Sequence, residues 1–282
     1  MIPVTELIPG IFVALFGLTL GSFLNVCIQR LPAGESIFLP GSHCPKCGHP
    51  IRWYDNIPVA SYLILRGRCR DCQAQISPLY PFVEILTAAL LVAEFCDYGW
   101  TPEFIKWSVF SLLVLILIFT DLRDRRIPHA VTLVGLATGL LLSAWVPVDD
   151  RPLGTILSMA GYYWSGTLLS AAGAIAGALV GGGLFYAVGE LFYRLRHKEG
   201  LGFGDVMLML MAGTFLGPAL TLTTIFLGSL FGTVVAVPLT LFRRRFRDYA
   251  WPYGTFLGIA ALFVSLGGEA LLNAYLAWTR LR

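Results

Sequence analysis

Three carboxylates stand where an apolar chain has least use for them. Asp121 closes the run "LLVLILIFTD", Asp124 follows in "LRDRRIP", and Asp205 ends a glycine-rich "GLGFGD" at 200–205, just before the apolar "VMLMLMAGTFL". Charge close to lipid is expensive, so each acid needs a reason. Two carboxylates brought to one depth cannot both hold a full negative charge cheaply. They share a proton, and one member can activate water while the other protonates a carbonyl or a leaving amine. The chemistry implied for Asp121 and Asp205 is acid–base hydrolysis of a peptide without a nucleophilic side chain or a metal. Asp124, flanked by Arg123 and Arg125, reads as a solvated charge paired with arginine. Gly202 and Gly204, which tolerate positive φ and close backbone approach, would let the loop bend and present Asp205 to a cleft beside an extended peptide. A phosphate-binding loop does not fit, because no Lys-Ser/Thr follows the glycines and no strand precedes them.

A second set of residues points to a metal. Cys44-x2-Cys47 and Cys69-x2-Cys72 are separated by twenty-one residues, the pattern of a tetrahedral four-thiolate zinc site in which each knuckle turns two sulfurs toward one ion. Four thiolates leave no position for water, so such a zinc, one per chain, is structural. Two disulfides are the competing reading, disfavoured if the loop faces a reducing compartment. His43 and His49 are substitute ligands or solvated loop residues, and Cys27 and Cys96 are small apolar residues at the ends of spans.

The elements that must position these groups are membrane helices. Of the 282 residues 56% are hydrophobic and 13% charged, against about 25% charged in an ordinary soluble protein. Apolar segments near the roughly 20 residues needed to cross a bilayer fall at 8–28, 79–98, 104–121, 129–147, 166–192, 204–217, 219–242 and 255–277, with 204–242 as one broken helix the alternative count. The expected fold is an all-α polytopic membrane protein of about eight transmembrane helices with a small zinc-stapled cytoplasmic domain. Its parts are a first helix at 1–28, a four-cysteine domain at 29–78, too small to hold a core unaided, and a transmembrane region at 79–282. The first span lacks a basic leader region and a small-residue cleavage site, so it is expected to persist. Sixteen of the 20 Lys and Arg fall in 29–78, 121–128, 193–204 and 243–254, which places those loops in the cytoplasm and both termini outside. Spread in this way, the net charge of +3 reports topology and affinity for anionic lipid, not nucleic acid. The Gly, Ala and Ser of 166–189, including Gly173-x3-Gly177, mark close helix packing.

The whole pattern resembles the type IV prepilin peptidases, the GxGD aspartyl proteases of the bacterial inner membrane. Carrying the resemblance are "GSFLNVCIQRLP" at 21–32, "DNIPVASYLILRGRCRDC" at 55–72, "ISPLYPFVE" at 76–84, the Asp-to-"IP" segment at 121–128 and the GxGD at 202–205. The resemblance implies that Asp121 and Asp205 are the catalytic pair, cleaving the short basic leader of prepilins or type II secretion pseudopilins. The cysteine loop marks the long form of the family, which also N-methylates the new amino terminus with S-adenosylmethionine. Glu84 then either orients the substrate amine or the sulfonium of the donor, or pairs with a base such as Arg30 or Arg68. Two departures from the family pattern are His129 after the "IP" and Met207, where a lysine is usual. The rival classes are a proton-coupled transporter, which would place its acids near the bilayer midplane, and a non-catalytic zinc-ribbon scaffold.

Overall fold

The computed structural model describes residues 4–148, 153–161, 166–197, 200–242, 249 and 251–280. The basic run at 243–247, Arg151, Lys198 and Arg282 lie outside the described residues. Among those described there are helices and turns but no strand: α1 Val4–Arg30, α2 Ala60–Ile64, α3 Leu79–Tyr98, α4 Pro102–Asp124, α5 His129–Leu142, α6 Leu153–Met159, α7 Gly166–Arg196, α8 Phe203–Phe242 and α9 Tyr253–Arg280. Six of them are long and apolar enough to cross a membrane. The chain divides into two compact units, residues 1–116 and 117–282, with the division inside α4.

In the first unit α1 packs on α3 through glycine. A Cβ on Gly17 would stand 2.7 Å from Ala88 Cα, and one on Gly21 would stand 2.6 Å from Glu84 Cα. Only hydrogen allows that approach, and it fixes Glu84 against α1. At the other end Val13, Leu91, Phe95 and Phe104 close an apolar core. Trp100 meets the rings of Phe95 and Phe104 edge-on. The buried Glu94 beside this core accepts hydrogen bonds from Ser108 Oγ at 3.1 Å and Ser111 Oγ at 2.5 Å.

In the second unit the small face of α7 meets α8 backbone to backbone. A Cβ on Gly177 would lie 2.2 Å from Gly213 O, and one on Gly181 would lie 2.5 Å from Met209 O. The Gly181 position would also touch Thr221 Cγ2 at 3.0 Å. In an unbroken helix Met209 and Thr221 stand about 18 Å apart along the axis, so α8 must fold back between them. Gly217, at φ 75 and ψ 175, is the non-helical residue where it does so, followed by Pro218. With ψ at 175 this positive φ falls in a region essentially reserved for glycine, and the proline withholds a donor the bend could not satisfy. Thr221 Oγ1 donates to Gly217 O at 2.6 Å across the first turn of the second arm. The two arms, 203–216 and 218–242, agree with separate segments at 204–217 and 219–242, so the eight apolar segments each correspond to a helix or a helix arm.

Two of those segments are shorter than the bilayer is thick. The first arm of α8 rises about 21 Å, and so does α5 with its 14 residues. The expected run 129–147 therefore stops early. Ser143 Oγ donates to Leu140 O at 2.7 Å as the helix ends. Ser170 Oγ then donates to Ser143 O at 2.7 Å and accepts from Val148 N at 3.0 Å. One serine thus settles both polar groups of the departing chain, which continues as turn.

Candidate active site and metal centre

Asp121 lies in the last turn of α4. The helix ends because Arg125 takes a left-handed conformation, φ 53, with its N–H bonded to Asp121 O at 2.9 Å, and Pro128 bars further continuation. Around it Leu122 to Arg126 are exposed, while Asp121 is only 6% exposed. Its Oδ2 accepts the Thr255 N–H at 2.6 Å and lies 2.9 Å from the Thr255 hydroxyl. Thr255 is in the first turn of α9, whose N–H groups have no helical partner and whose dipole favours an anion.

Asp205 opens α8. Its N–H donates to Gly202 O at 3.0 Å, and its carboxylate accepts the Gly202 N–H in return, the reach of a third helical residue back to the cap. Neither Gly202 nor Gly204 has positive φ, so of the two properties that recommend glycine here the left-handed conformation is not used. Close approach does apply: a Cβ on Gly204 would stand 2.9 Å from Ile127 Cβ. His129 packs edge-on against Phe203 at 5.8 Å between ring centroids, so that departure from the family pattern borders the loop. Met207 is half-buried on the following turn.

The two acids meet at Gly254. A Cβ there would be 3.0 Å from Asp205 Oδ1 and 3.1 Å from Asp121 Oδ2, so these oxygens stand within about 6 Å of one another, the range of strong mutual influence. All of this lies within the second unit. Tyr253 flanks the pair, its hydroxyl 2.8 Å from Ser229 Oγ and its ring stacked on Phe185 at 6.0 Å. Gly254 and Thr255 were not legible as site residues, since neither carries charge. The available signal was a Gly-Thr pair opening an apolar run directly after a basic loop. Asp124, by contrast, is exposed and 3.5 Å from Arg123 Nε, as expected of a solvated charge.

In the first unit the four cysteine sulfurs lie within 4.8 Å of one another, with Cys44 Sγ and Cys72 Sγ 3.8 Å apart. A tetrahedron with metal–sulfur bonds of ~2.3 Å has edges of about 3.8 Å, so the set fits a single thiophilic ion. The knuckles repeat each other. Cys44 N donates to His49 O and Gly48 N to Cys44 O, while Cys69 N donates to Ala74 O and Gln73 N to Cys69 O, all between 2.8 and 3.0 Å. Gly48 and Gln73 both take positive φ. Backbone N–H groups of Cys47 and Lys46 hold the Cys44 thiol down to about 6. Cys47, despite an N–H bond from His49, is pushed up to about 12 by desolvation and its thiol neighbours. That divergence is what crowding of like charges produces, and a dication relieves it. Neither His43 nor His49 belongs to the cluster. Beside it Arg70 grips Asp55 with bonds of 2.6 and 2.8 Å.

Glu84, 7% exposed, accepts the Val59 N–H at 2.8 Å through Oε2. Among the described residues it forms no ion pair with Arg30 or Arg68. Arg30 sends its guanidinium to Ser36 O at 3.1 Å and Gly41 O at 3.3 Å.

Comparison with known proteins shows the family. Residues 15–98 match the bacterial peptidase A24 N-terminal domain, and residues 108–237 match the type IV leader peptidase family. A prepilin leader peptidase/N-methyltransferase of Aeromonas salmonicida is 34% identical over 295 residues, covering 94% of this chain and 93% of its own. The chain belongs to the type IV leader peptidase family. Proteins of the same name from Pseudomonas aeruginosa and Myxococcus xanthus are 32% and 36% identical. The first alignment covers 93% of this chain and 91% of that relative, the second 84% and 64%. No solved structure matches. Membership in a peptidase family makes this chain an enzyme, which sets aside the transporter and the scaffold.

Proposed function

We propose that the chain is a multi-pass inner-membrane aspartyl endopeptidase that removes the short basic leader of type IV prepilins or type II secretion pseudopilins, with Asp121 and Asp205 as the catalytic pair. The observation that carries this is the convergence of both carboxylates on Gly254. Asp121, whose Oδ2 already accepts from Thr255, is the carboxylate that takes a proton from water. The resulting hydroxide oxygen attacks the scissile carbonyl while Asp205 gives its proton to the carbonyl oxygen. Asp121 then passes its proton to the nitrogen, the C–N bond breaks as the diol collapses to a carboxylic acid, and Asp205 recovers a proton from a diol hydroxyl. Gly202, exposed beside the Asp205 carboxylate, keeps that approach free of a side chain so that an extended strand can lie there, while Gly204 lets the loop close on Ile127. Both acids stand at helix ends, where the scissile bond of a membrane-embedded substrate helix meets water. The excess of Lys and Arg in the loops supports a cytoplasmic position for that end and for the cysteine loop, with both termini outside. The metal of the four cysteines is zinc, one structural ion per chain, since thiolates at this spacing with no open position suit it best. The names of the relatives support a second activity, N-methylation of the released amino terminus by S-adenosylmethionine.

The test is cleavage of a purified prepilin by the full chain in detergent, followed by mobility shift. Asp121→Asn and Asp205→Asn are each expected to lower the rate at least 10³-fold, the scale of lost acid–base catalysis and charge stabilisation. Either variant cleaving at the wild-type rate refutes the assignment.

A further inference from the structure

The first unit contains a cavity of about 610 Å³ between α1, α3 and the cysteine loop, lined by Ser22, Arg30, Val59 and Glu84 among others. Its size is that of a nucleoside-derived ligand. Two buried ionisable groups face it, Arg30 at 9% exposure and Glu84 at 7%, and among the described residues neither meets an opposite charge. Among those residues Arg30 donates to two carbonyls. Glu84 is held only by the Val59 N–H and the Ser22 hydroxyl. A buried charge without a counter-charge is strongly unfavourable, so each group wants an ion of opposite sign. Glu84 sits at the level of Gly21, and Arg30 follows nine residues later on α1, about 13 Å along its axis. They could neutralise each other only by bending together, and they do not. The arrangement suits a ligand with a cation and an anion at separate points.

The loop over this cavity is strained. Val59, a β-branched residue, has φ 58 and ψ −48, and Ala60 N lies 2.5 Å from Pro58 O, closing a three-residue γ-turn of the disfavoured hand. Glu84 bonds the central N–H of that turn. Strain of this kind persists where the surroundings over-determine it, and it clusters at ligand clamps.

We propose that this cavity binds the methyl donor, with Glu84 against the sulfonium of S-adenosylmethionine and Arg30 against its α-carboxylate. The assignment rests on the methyl-transfer reading above. In the transfer the lone pair of the freed α-amine attacks the methyl carbon and the C–S bond breaks. Its electrons stay on sulfur as a neutral thioether, and the methylated ammonium releases one proton to solvent. The cation beside Glu84 therefore disappears on reaction, which favours release of the product S-adenosylhomocysteine.

That change of charge supplies the experiment. S-adenosylmethionine and S-adenosylhomocysteine are titrated calorimetrically into the full chain in detergent, alongside a methylation assay on a pre-cleaved peptide. Glu84→Gln keeps an acceptor for Val59 while removing the charge. It is expected to weaken S-adenosylmethionine at least 10-fold and S-adenosylhomocysteine less than twofold. Arg30→Gln is expected to weaken both alike. If Arg30→Gln loses its helical circular dichroism, Glu84→Gln alone decides. Equal loss of both ligands in Glu84→Gln overturns the sulfonium placement. Unchanged binding of both, in an enzyme that methylates, overturns the site while leaving the methyl-transfer reading intact. A wild-type chain that neither binds the donor nor methylates overturns both.

Discussion

Gly254→Ala tests the proposed dyad without touching either acid. The added methyl carbon would stand 3.0 Å from Asp205 Oδ1, 3.1 Å from Asp121 Oδ2 and 2.8 Å from Ile127 Cδ1, whereas ordinary contact begins at 3.4 Å. Each carboxylate oxygen must therefore retreat by about 0.3–0.4 Å from the new methyl to reach ordinary contact, and Ile127 can absorb only its own share. A pair widened by somewhat under 1 Å loses about 10- to 100-fold in rate, judged from the ~10² cost of a 1 Å misplacement. That corresponds to roughly 1.4–2.7 kcal/mol of activation free energy. The loss should appear in kcat with KM little changed, because the methyl group obstructs the reacting groups, not the remote parts of a long substrate. Helix propensity does not oppose the change, and the melting temperature separates overpacking from a loss of chemistry. Gly254 lies in the first turn of α9, where alanine is the better helix former by up to ~1 kcal/mol. Gly10→Ala, with nothing within 4 Å of the new atom, is the matched control. Cleavage kinetics on a purified prepilin, with melting temperature measured in parallel, decide the matter. A folded Gly254→Ala enzyme with wild-type kcat would show that the two carboxylates do not act together at this point.

Three further outcomes are expected. Elemental analysis should find about one zinc per chain, lost in the double variant Cys44→Ser, Cys47→Ser, with faster proteolysis of 29–78 as the staple goes. Gly177→Val sets a side chain against the backbone of α8, where a Cβ meets Gly213 O at 2.2 Å, and should destabilise by about 3 kcal/mol or more. Gly183→Val, with open space around it, should leave the melting temperature in place. Asp55 is held below the usual carboxylate range by the hydrogen-bonded Arg70 guanidinium. The contribution of this pair is present above about pH 4, the unfolded value, and is lost as pH falls through the lower folded one. Amide exchange in 52–72, corrected for its intrinsic pH dependence, should therefore accelerate below pH 4, and Asp55→Asn should remove that step.

The features legible in the sequence are those that lipid or metal chemistry makes expensive to place by chance. An aspartate after eight apolar residues and a threonine, or a pair of CxxC knuckles, has few bland explanations, and a Gly-Pro pair inside an apolar run announces a break. The structure does bring Asp121 and Asp205 together and does gather the four sulfurs. What escaped notice were groups acting by position: the Thr255 hydroxyl, the bare Cα of Gly254, the Ser170 that ends α5 early. Each is chemically ordinary, and its importance arises only when helices distant in sequence converge. Which property of glycine matters at Gly202 and Gly204 was hidden for a related reason. Glycine is required for two separate purposes, and the pattern does not say whether backbone conformation or clearance is the one in force.

The break at Gly217 has a metrical consequence. Asp205 lies twelve residues before it in a helix whose two arms rest on the same stripe of α7, so the break serves as an origin from which that carboxylate is measured. Twelve residues set its depth at about 18 Å and its azimuth at three and a third turns. One residue added or removed between the two would shift the carboxylate by only ~1.5 Å but swing it by about 100° around the arm. The interval from 205 to 217 is thus a calibrated length. A loop elsewhere in this protein can lengthen without touching the dyad, but this interval has one workable value.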